Sequence, residues 1–406
     1  MSRSIGCILF VLLSALPGRA SVIVVDPAGA PGAPLLQAAI AGARSGDIIL
    51  LRAGDYTGLA VTLDHGDMAL VADTGARPEI SGLIVDGGSV VVRGLGVRPP
   101  PSAGSSCLVM PAASLWMEEC SVQGLPPTNP AFSGPAAVFV SGSGLVLIRS
   151  EVHGGNGQDA GVEPDGTPVP TTTGNSALMA AYFSTVVVQQ STLAAGAQGD
   201  GPDPPYFASA GDAIDLAFAR VSLLGAELIG GDEGADNGAT STPGFALSGP
   251  FGDVDARDTT FAAGMVQGAG TPVPPLNLLS SSLVTYPASM RTLSIPCPLR
   301  ELEPAFASVH GEPGDLAFVL VAATSDLASL PDKEGVLVVA TTPQPLLLPL
   351  GTVSDASGQL DARIVLPRLP VGVDGMVLFT QLGVVSSQGD ALLGTGSAVV
   401  WLSAAL

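Results

Sequence analysis

The chain contains an internal repeat of short apolar segments, which constrains its fold more than any other feature of the sequence. Six segments superpose without gaps when each is aligned on one reference residue: Leu95, Cys120, Ser150, Ser191, Ala226 and Thr259. Apolar residues stand two places after each reference residue and three, five, ten and twelve places before it, weakening only at Gly249. An alternation with a period of two is typical of β-strands. Each repeat therefore predicts three short strands whose alternate side chains point inward.

The repeats differ in length, and the extra residues are expected at a single place. Successive reference residues lie 25, 30, 41, 35 and 33 positions apart. We assign this variation to the connection between the third strand of one repeat and the first strand of the next, because stacked coils of a solenoid must otherwise stay in register. The longest connections, such as 154–175 and 230–243, are rich in Gly, Asp, Asn and Pro. The pattern predicts a parallel β-helix with one edge of long loops.

The start of the repeat region carries a family resemblance. Residues 35–43 have helical apolar spacing, which predicts a capping helix for the apolar end of the solenoid. The string Leu-Gln-Ala-Ala-Ile and the later Ser-Gly-Asp-Ile-Ile-Leu-Leu-Arg-Ala-Gly-Asp-Tyr resemble the opening of pectate-lyase-like parallel β-helices. The coil endings, such as Ser-Glu-Val-His-Gly-Gly, resemble those of secreted bacterial members. The resemblance implies a right-handed three-strand β-helix, and it leaves function open because the superfamily holds lyases, hydrolases, esterases and adhesins.

Four regions follow from these patterns. We predict a signal peptide over 1–20, a parallel β-helix over 21–275, a linker over 276–295 and a small antiparallel β-sandwich over 296–406. The repeat fades near Leu276, and Pro296, Pro298 and Pro304 mark the boundary. Beyond them, alternating apolar segments predict six or seven strands at the spacing of a β-sandwich.

The first twenty residues and the overall charge limit the classes of partner. Arg3, the apolar run 5–16 and the small residue Ala20 form the pattern of a cleaved signal peptide, so we expect an exported or cell-surface protein. No later stretch is long and apolar enough to span a membrane. The formal charge is −21, with Lys333 as the one lysine. Nucleic-acid binding needs basic patches, so this class is excluded.

Three cysteines remain after the leader: Cys107, Cys120 and Cys297. An odd number leaves at least one thiol outside any intramolecular disulfide. The repeat pattern points Cys107 outward and Cys120 inward, so we expect no disulfide between them. The inward Cys120, Ser150 and Ser191 are expected to form a stacked ladder in the core.

In enzymes of this fold, the resemblance places catalysis on the outer face of the first strands, beside the long loops. The residues predicted to face outward there are Ile84, Val109, Phe139, Ala180, Asp215 and Ser248. Asp212 and Asp215 form the one acidic pair, and glycoside hydrolysis needs paired carboxyl groups. They are the catalytic candidates, with solvated turn residues as the alternative. The rest of this face is small and apolar; unless loops cover it, Phe139 and Leu178 would contact a ligand.

The edge loops supply further candidates. Asp159 and Asp200 are candidates for ligand binding, and Asp232, Glu233, Asp236 and Asn237 are candidates for calcium, which prefers oxygen ligands. Their spacing matches neither an EF-hand nor the calcium-binding nonapeptide repeat. Solvated loop acids are the alternative interpretation. We expect either no cofactor or calcium.

Three functions remain open. The first is a non-catalytic extracellular protein that binds glycan or protein through its long-loop edge. The second is a carbohydrate-active enzyme, either a polysaccharide lyase or a glycoside hydrolase, that uses Asp212 and Asp215. The third is a structural component of the cell envelope without a discrete ligand.

Overall fold

The computed structural model describes two compact units. The described residues are 20–27, 35–64, 66–99, 105–127, 134–162, 168–169, 171–201, 209–235, 242–267, 273–286, 289–330, 335–354 and 357–406. The first unit comprises residues 53–64 and 77–285. The second comprises the described residues before 53, together with 65–76 and 286–406.

The first unit is a solenoid built from three stacks of parallel strands. The first strands of its coils are Cys107–Val109, Val138–Ser141, Leu178–Ala181, Ile214–Ala217, Leu247–Pro250 and Leu276–Leu279. The second strands are Ser89–Arg93, Ser114–Glu118, Gly144–Ile148, Thr185–Gln189, Arg220–Leu224, Asp253–Arg257 and Ser282–Tyr286. The third strands are Gly96–Val97, Ser121–Gln123, Glu151–His153, Thr192–Ala194, Glu227–Ile229 and Thr260–Ala262. This parallel stacking confirms the predicted three-strand parallel β-helix.

Further strand pairings lie outside the regular stacks. One long strand, Glu79–Val85, pairs through its first residues with Gly96–Val97 and through its last residues with Cys107–Val109. Asp55–Leu63 runs parallel to this long strand. Within the longest edge loop, Gly161–Val162 pairs antiparallel with Pro168–Val169.

The core contains the predicted polar ladder. The backbone N–H of Cys120 donates to Ser150 Oγ at 3.1 Å, and the N–H of Ser150 donates to Ser191 Oγ at 3.0 Å. Each ladder residue follows one residue with positive φ, at Glu119, Arg149 and Gln190. These left-handed residues turn the chain from the second strand into the third. The ladder hydroxyls then accept buried N–H groups that would otherwise lack a partner.

The register of two first strands differs from the prediction by one residue. Cys107, Val109, Leu178 and Ala180 have no solvent exposure and point into the core, whereas Leu108 and Met179 face outward. These two coils have one extra residue in the turn before the second strand, and a shift of one residue moves every side chain of a strand to its other face. The predictions of an outward Cys107 and a ligand-contacting Leu178 were therefore wrong.

Cys107 and Cys120 are both buried, and neither forms a disulfide. Burial raises the pKa of each thiol to about 12. Both cysteines therefore behave as small apolar core residues.

A largely buried network of charges lies where three of the second strands end. Glu118 has no solvent exposure, and its Oε1 is 3.0 Å from Arg93 Nη1. Arg149 also contacts Glu118 Oε1, and Trp116 Nε1 donates to Glu118 Oε2 at 3.2 Å. Glu119, which is 44% exposed, pairs with Arg93 at 2.9 Å. Two guanidinium groups and an indole N–H thus compensate the burial of one carboxylate.

The solenoid extends into the segment predicted as a linker. Leu276–Leu279 pairs parallel with Leu247–Pro250, and Ser282–Tyr286 joins the stack of second strands. The strand Thr292–Ser294 already pairs with Pro304–His310 of the β-sandwich. The boundaries at 275 and 296 therefore differ from those of the folded units.

The second unit contains the N-terminal strands and the β-sandwich. Val22–Val25, Ile48–Leu51 and Met68–Ala72 form parallel neighbours, and the predicted helix spans Leu36–Gly42 with Leu36, Ala39 and Ile40 buried. One sheet of the sandwich contains Thr292–Ser294, Pro304–His310 and Gln359–Val365. The other contains Leu299–Arg300, Ala391–Leu402, Gly375–Val385, Leu316–Ala322 and Leu346–Thr352. Ser325–Leu330 pairs with Gly335–Val339.

The inner faces of the two sandwich sheets share one core, which includes Leu293, Val309, Val319, Leu378 and Trp401. The predicted sandwich is therefore confirmed. Among the described residues of the whole chain, no helix has the length and apolar character needed to cross a bilayer.

Candidate functional site

The outer face of the first strands carries a line of side chains in cross-strand register. We call this surface the first face. Its central line consists of Ile84, Leu108, Phe139, Met179, Asp215, Ser248 and Asn277. The line is apolar over the first four residues and polar over the last three. Most of these side chains are half-buried, Ser248 is buried and Asn277 is exposed.

The predicted acidic pair lies at the start of the polar part of this line. Asp212 is held in place: its Oδ1 accepts the N–H of Phe245 at 2.7 Å, and its Oδ2 accepts the hydroxyl of Ser248. Burial raises the pKa of Asp212, and these two hydrogen bonds oppose that rise. Burial, followed by the nearby charge of Asp212, raises the pKa of Asp215 to about 6. The two carboxyl groups therefore have different environments, which is how acid and base roles become divided.

A strip of exposed aromatic residues borders the first face. The aromatic strip consists of Tyr182, Phe183, Phe218 and Phe251, in the turns between first and second strands. Their exposed fractions are 67%, 84%, 48% and 55%. The rings of Phe218 and Phe251 are stacked at 4.9 Å between centroids with an interplanar angle of 12°. Phe183 lies 6.3 Å from Phe218 with its ring tilted by 47°.

The backbone of these four aromatic residues adopts an unfavourable conformation. All four residues have positive φ, between 54° and 65°. This left-handed region is uncommon for residues other than glycine and is unusual for bulky side chains. Other coils place Gly87 or Gly142 in the same turn, where the conformation has little cost. Exposed rings in a conformation that glycine would adopt more easily indicate a role on the surface rather than in folding.

On the opposite side of the first face, the edge loops pack backbone against backbone. Hydrogen bonds link neighbouring coils at every third residue: Gly154 to Ala194, Gly157 to Ala197 and Ala160 to Asp200. We call this packed region the glycine edge. A Cβ built on its glycines would overlap backbone atoms of neighbouring edge segments at Gly154, Gly155, Gly174, Gly196, Gly211, Gly230, Gly231, Gly244 and Gly264. Only glycine allows the coils to approach so closely.

The acidic residues of the glycine edge serve this packing. Asp159 Oδ1 accepts the N–H of Asp200 at 2.8 Å, and Asp200 Oδ1 accepts the N–H of Ala235 at 2.6 Å. Asp232 Oδ1 likewise accepts the N–H of Met265 at 2.7 Å. Each carboxylate therefore satisfies a backbone donor in the following coil. Ligand binding by Asp159 and Asp200, both still exposed, stays a prediction.

The predicted calcium ligands divide between described and undescribed residues. Glu233 is buried, and its Oε2 accepts the N–H of Gln267 at 3.3 Å. Asp236 and Asn237 lie outside the described residues. Within the described ranges, no three His, Cys, Asp or Glu side chains come together as a metal site would require. A calcium site at this loop stays a prediction.

The aromatic strip was not predicted, although the sequence carries a signal for it. Phe183, Phe218 and Phe251 stand at the same place in three successive repeats, equally far ahead of their reference residues. Large apolar residues at a turn position, repeated from coil to coil, indicate a continuous surface feature because stacked coils superpose them.

Three solved structures are similar to parts of this chain. The pectate lyase Pel9A is 11% identical over 67% of this chain and 79% of its own, with a TM-score of 0.33. The PL6 family alginate lyase AlyGC is 14% identical over 66% of this chain and 40% of its own, with a TM-score of 0.27. Tailspike protein 2 from Escherichia coli O157:H7 bacteriophage CAB120 is 11% identical over 96% of this chain and 60% of its own, with a TM-score of 0.24.

This chain therefore spans less than two thirds of the alginate lyase and of the tailspike. No protein-family model matches the sequence, and no curated protein matches it significantly. The strand pairing of the chain itself identifies it as a parallel β-helix protein with a mainly antiparallel β-sandwich, the fold that the sequence resemblance implied.

Proposed function

We propose that this is an exported glycan-binding protein whose ligand lies along the aromatic strip. The observation that carries the proposal is the row of Phe183, Phe218 and Phe251, exposed in three successive coils at turn positions with positive φ. Aromatic rings give large apolar contact areas to the C–H groups of sugars at little conformational cost. The leader pattern over 1–20 supports export.

The size of the strip favours a glycan over a protein partner. An aromatic side chain offers about 150–250 Å² in all, and the four rings are only partly exposed. The strip thus falls well below the roughly 800 Å² that each partner contributes to a standard protein interface. A narrow line of rings beside carboxylate, hydroxyl and amide groups suits a single linear chain of sugars.

Removal of one ring should weaken glycan binding without unfolding the protein. We expect Phe218→Ala to lower the affinity about tenfold, because the central ring of the stack contributes roughly 1.4 kcal/mol of contact. Affinity electrophoresis in gels that contain soluble polysaccharides measures this change. Phe306→Ala is the matched control, since Phe306 is 58% exposed in the other unit. Equal retardation of both variants and the parent protein in every gel would contradict the proposal.

A second candidate function is glycoside hydrolysis at the same face, and the divided environments of Asp212 and Asp215 favour it. Asp215, with a pKa raised to about 6, would supply the proton to the leaving oxygen. Asp212, held by the hydroxyl of Ser248 and the N–H of Phe245, would be the second carboxyl group of the pair, and a water molecule would replace the leaving oxygen on the sugar carbon.

Asp215→Asn should abolish hydrolysis if this second candidate is correct. General acid catalysis contributes about a hundredfold or more, so turnover should fall by at least that factor. In the parent protein the rate should decline as the pH rises through about 6, because Asp215 then loses the proton it must donate. Release of reducing ends measures both effects, and Asp253→Asn, in the next coil, is the control. Undiminished turnover by Asp215→Asn would remove this candidate.

A further inference from the structure

We propose that the aromatic strip selects an uncharged polysaccharide and excludes polyuronates. This inference rests on the proposed function and names its ligand class. The selection depends on the charge of the surface around the rings, and this charge is independent of how the rings stack.

The surface next to the strip contains carboxylates and almost no positive charge. In the described residues, the first strands and the turns that follow them contain neither lysine nor arginine. The basic residue closest to the strip along the chain is Arg220, at the start of the second strand after Phe218, and its Nη2 is 3.9 Å from Asp253 Oδ2. Asp212 and Asp215 lie on the other side of the rings. A polyuronate carries one carboxylate on each sugar, and like charges brought together oppose binding.

The polar part of the first face offers groups that suit sugar hydroxyls. Asp215, Ser248 and Asn277 occupy the same register position in three successive coils. Neighbouring strands are about 4.8 Å apart, so these groups form a line along the solenoid axis. The rings of Phe218 and Phe251 repeat at 4.9 Å in the same direction. The polar line and the strip, about three residues or 10 Å apart along each strand, can flank one sugar chain.

Hydroxyl groups can both donate and accept hydrogen bonds, and the Asp215 carboxyl and Asn277 amide groups supply both functions. Ser248 between them is buried and donates its hydroxyl to Asp212. A carboxylate on the ligand could only accept, and Asp215 could not donate to it once ionised. Charge and hydrogen-bonding capacity therefore favour the same uncharged ligand.

The test compares a neutral β-glucan, polygalacturonate and chitosan in affinity gels, with EDTA or with added calcium. We expect retention by the neutral glycan that changes less than about twofold between roughly 0.1 M and 1 M salt, because the contacts do not depend on charge. We expect polygalacturonate to be bound at least about tenfold more weakly under every condition. Polygalacturonate binding as strong as that of the neutral glycan, with or without calcium, would overturn the inference. Binding to chitosan alone, lost at high salt, would overturn it equally.

A change of charge gives a second test that does not depend on loss of folding. Asn277 is exposed on the polar line, so Asn277→Arg should increase polygalacturonate retention about tenfold at low salt. Gln388→Arg adds the same charge in the other unit and should leave retention unchanged. An equal effect of both substitutions would show that net charge alone governs binding and would overturn the inference. If Phe218→Ala has no effect on any glycan, the proposed function itself fails, which is a separate result.

Discussion

Replacement of Gly155 by alanine is expected to destabilise the solenoid severely. A Cβ at this position would overlap the carbonyl group of Leu125 in the preceding coil and approach Pro126 N to 2.8 Å. These are backbone atoms, so no side chain can rotate away to make room. We expect Gly155→Ala to lower the free energy of unfolding by roughly 3 kcal/mol or more, at the upper end of what overpacking costs.

Denaturant-induced unfolding measures this loss, and Gly82→Ala provides the matched control. Gly82 belongs to the same unit and lacks a positive φ, and its nearest neighbour to a new Cβ is Ser106 O at 3.6 Å. That substitution should change the free energy of unfolding by less than about 1 kcal/mol. If Gly155→Ala proved as stable as Gly82→Ala, the close stacking of the glycine edge would be refuted.

The second large effect is expected at the buried charge network. Glu118→Gln preserves the shape of the side chain but removes the negative charge that faces Arg93 and Arg149. Loss of one partner from a buried ion pair costs about 3–5 kcal/mol, because the remaining charge stays buried without compensation. Glu119 still pairs with Arg93 at 2.9 Å, so we expect a loss near the lower end of this range.

Glu119→Gln is the control for this network, since Glu119 contacts the same two arginines but is 44% exposed. Exposed ion pairs contribute about 1 kcal/mol or less. Thermal and denaturant unfolding should therefore separate the two variants clearly. Similar stability of Glu118→Gln and Glu119→Gln would mean that burial of the carboxylate has little energetic importance.

The stacking of the solenoid could be predicted because each coil repeats the same alternation. Val90 and Val92, for example, recur as Leu145 and Leu147 two coils later, and all four are fully buried. A core enclosed by strands requires apolar side chains with a period of two, and this period is visible in the sequence itself.

The register of some first strands could not be predicted in the same way. In Cys107-Leu108-Val109-Met110, either alternate pair is apolar, so hydrophobicity does not distinguish the inner face from the outer. The deciding feature is one extra residue in the following turn, where Ala112 has positive φ. Turn length is a weak signal in a single sequence, and the same ambiguity led to the wrong orientation of Leu178.

The candidate site was predictable only in part. Asp212 and Asp215 could be singled out because acidic residues are rare on an otherwise apolar face. Their different environments depend on contacts with Ser248 and Phe245, which come from the next coil and cannot be read from local sequence. The acids of the edge loops had the appearance of solvated or metal-binding groups, whereas Asp159, Asp200 and Asp232 accept backbone N–H groups of the following coil.

The glycine edge has a consequence for the order in which the solenoid folds. Glycine loses more conformational entropy on folding than any other residue, so a single glycine-rich loop has little tendency to become ordered alone. Its hydrogen bonds connect different coils, as from Gly154 to Ala194 and from Gly230 to Ala262. Such a loop can become ordered only after the adjacent coil has formed, which makes folding here depend on nearest neighbours. Nucleation should therefore begin in the valine- and leucine-rich second strands, with the edge closing last.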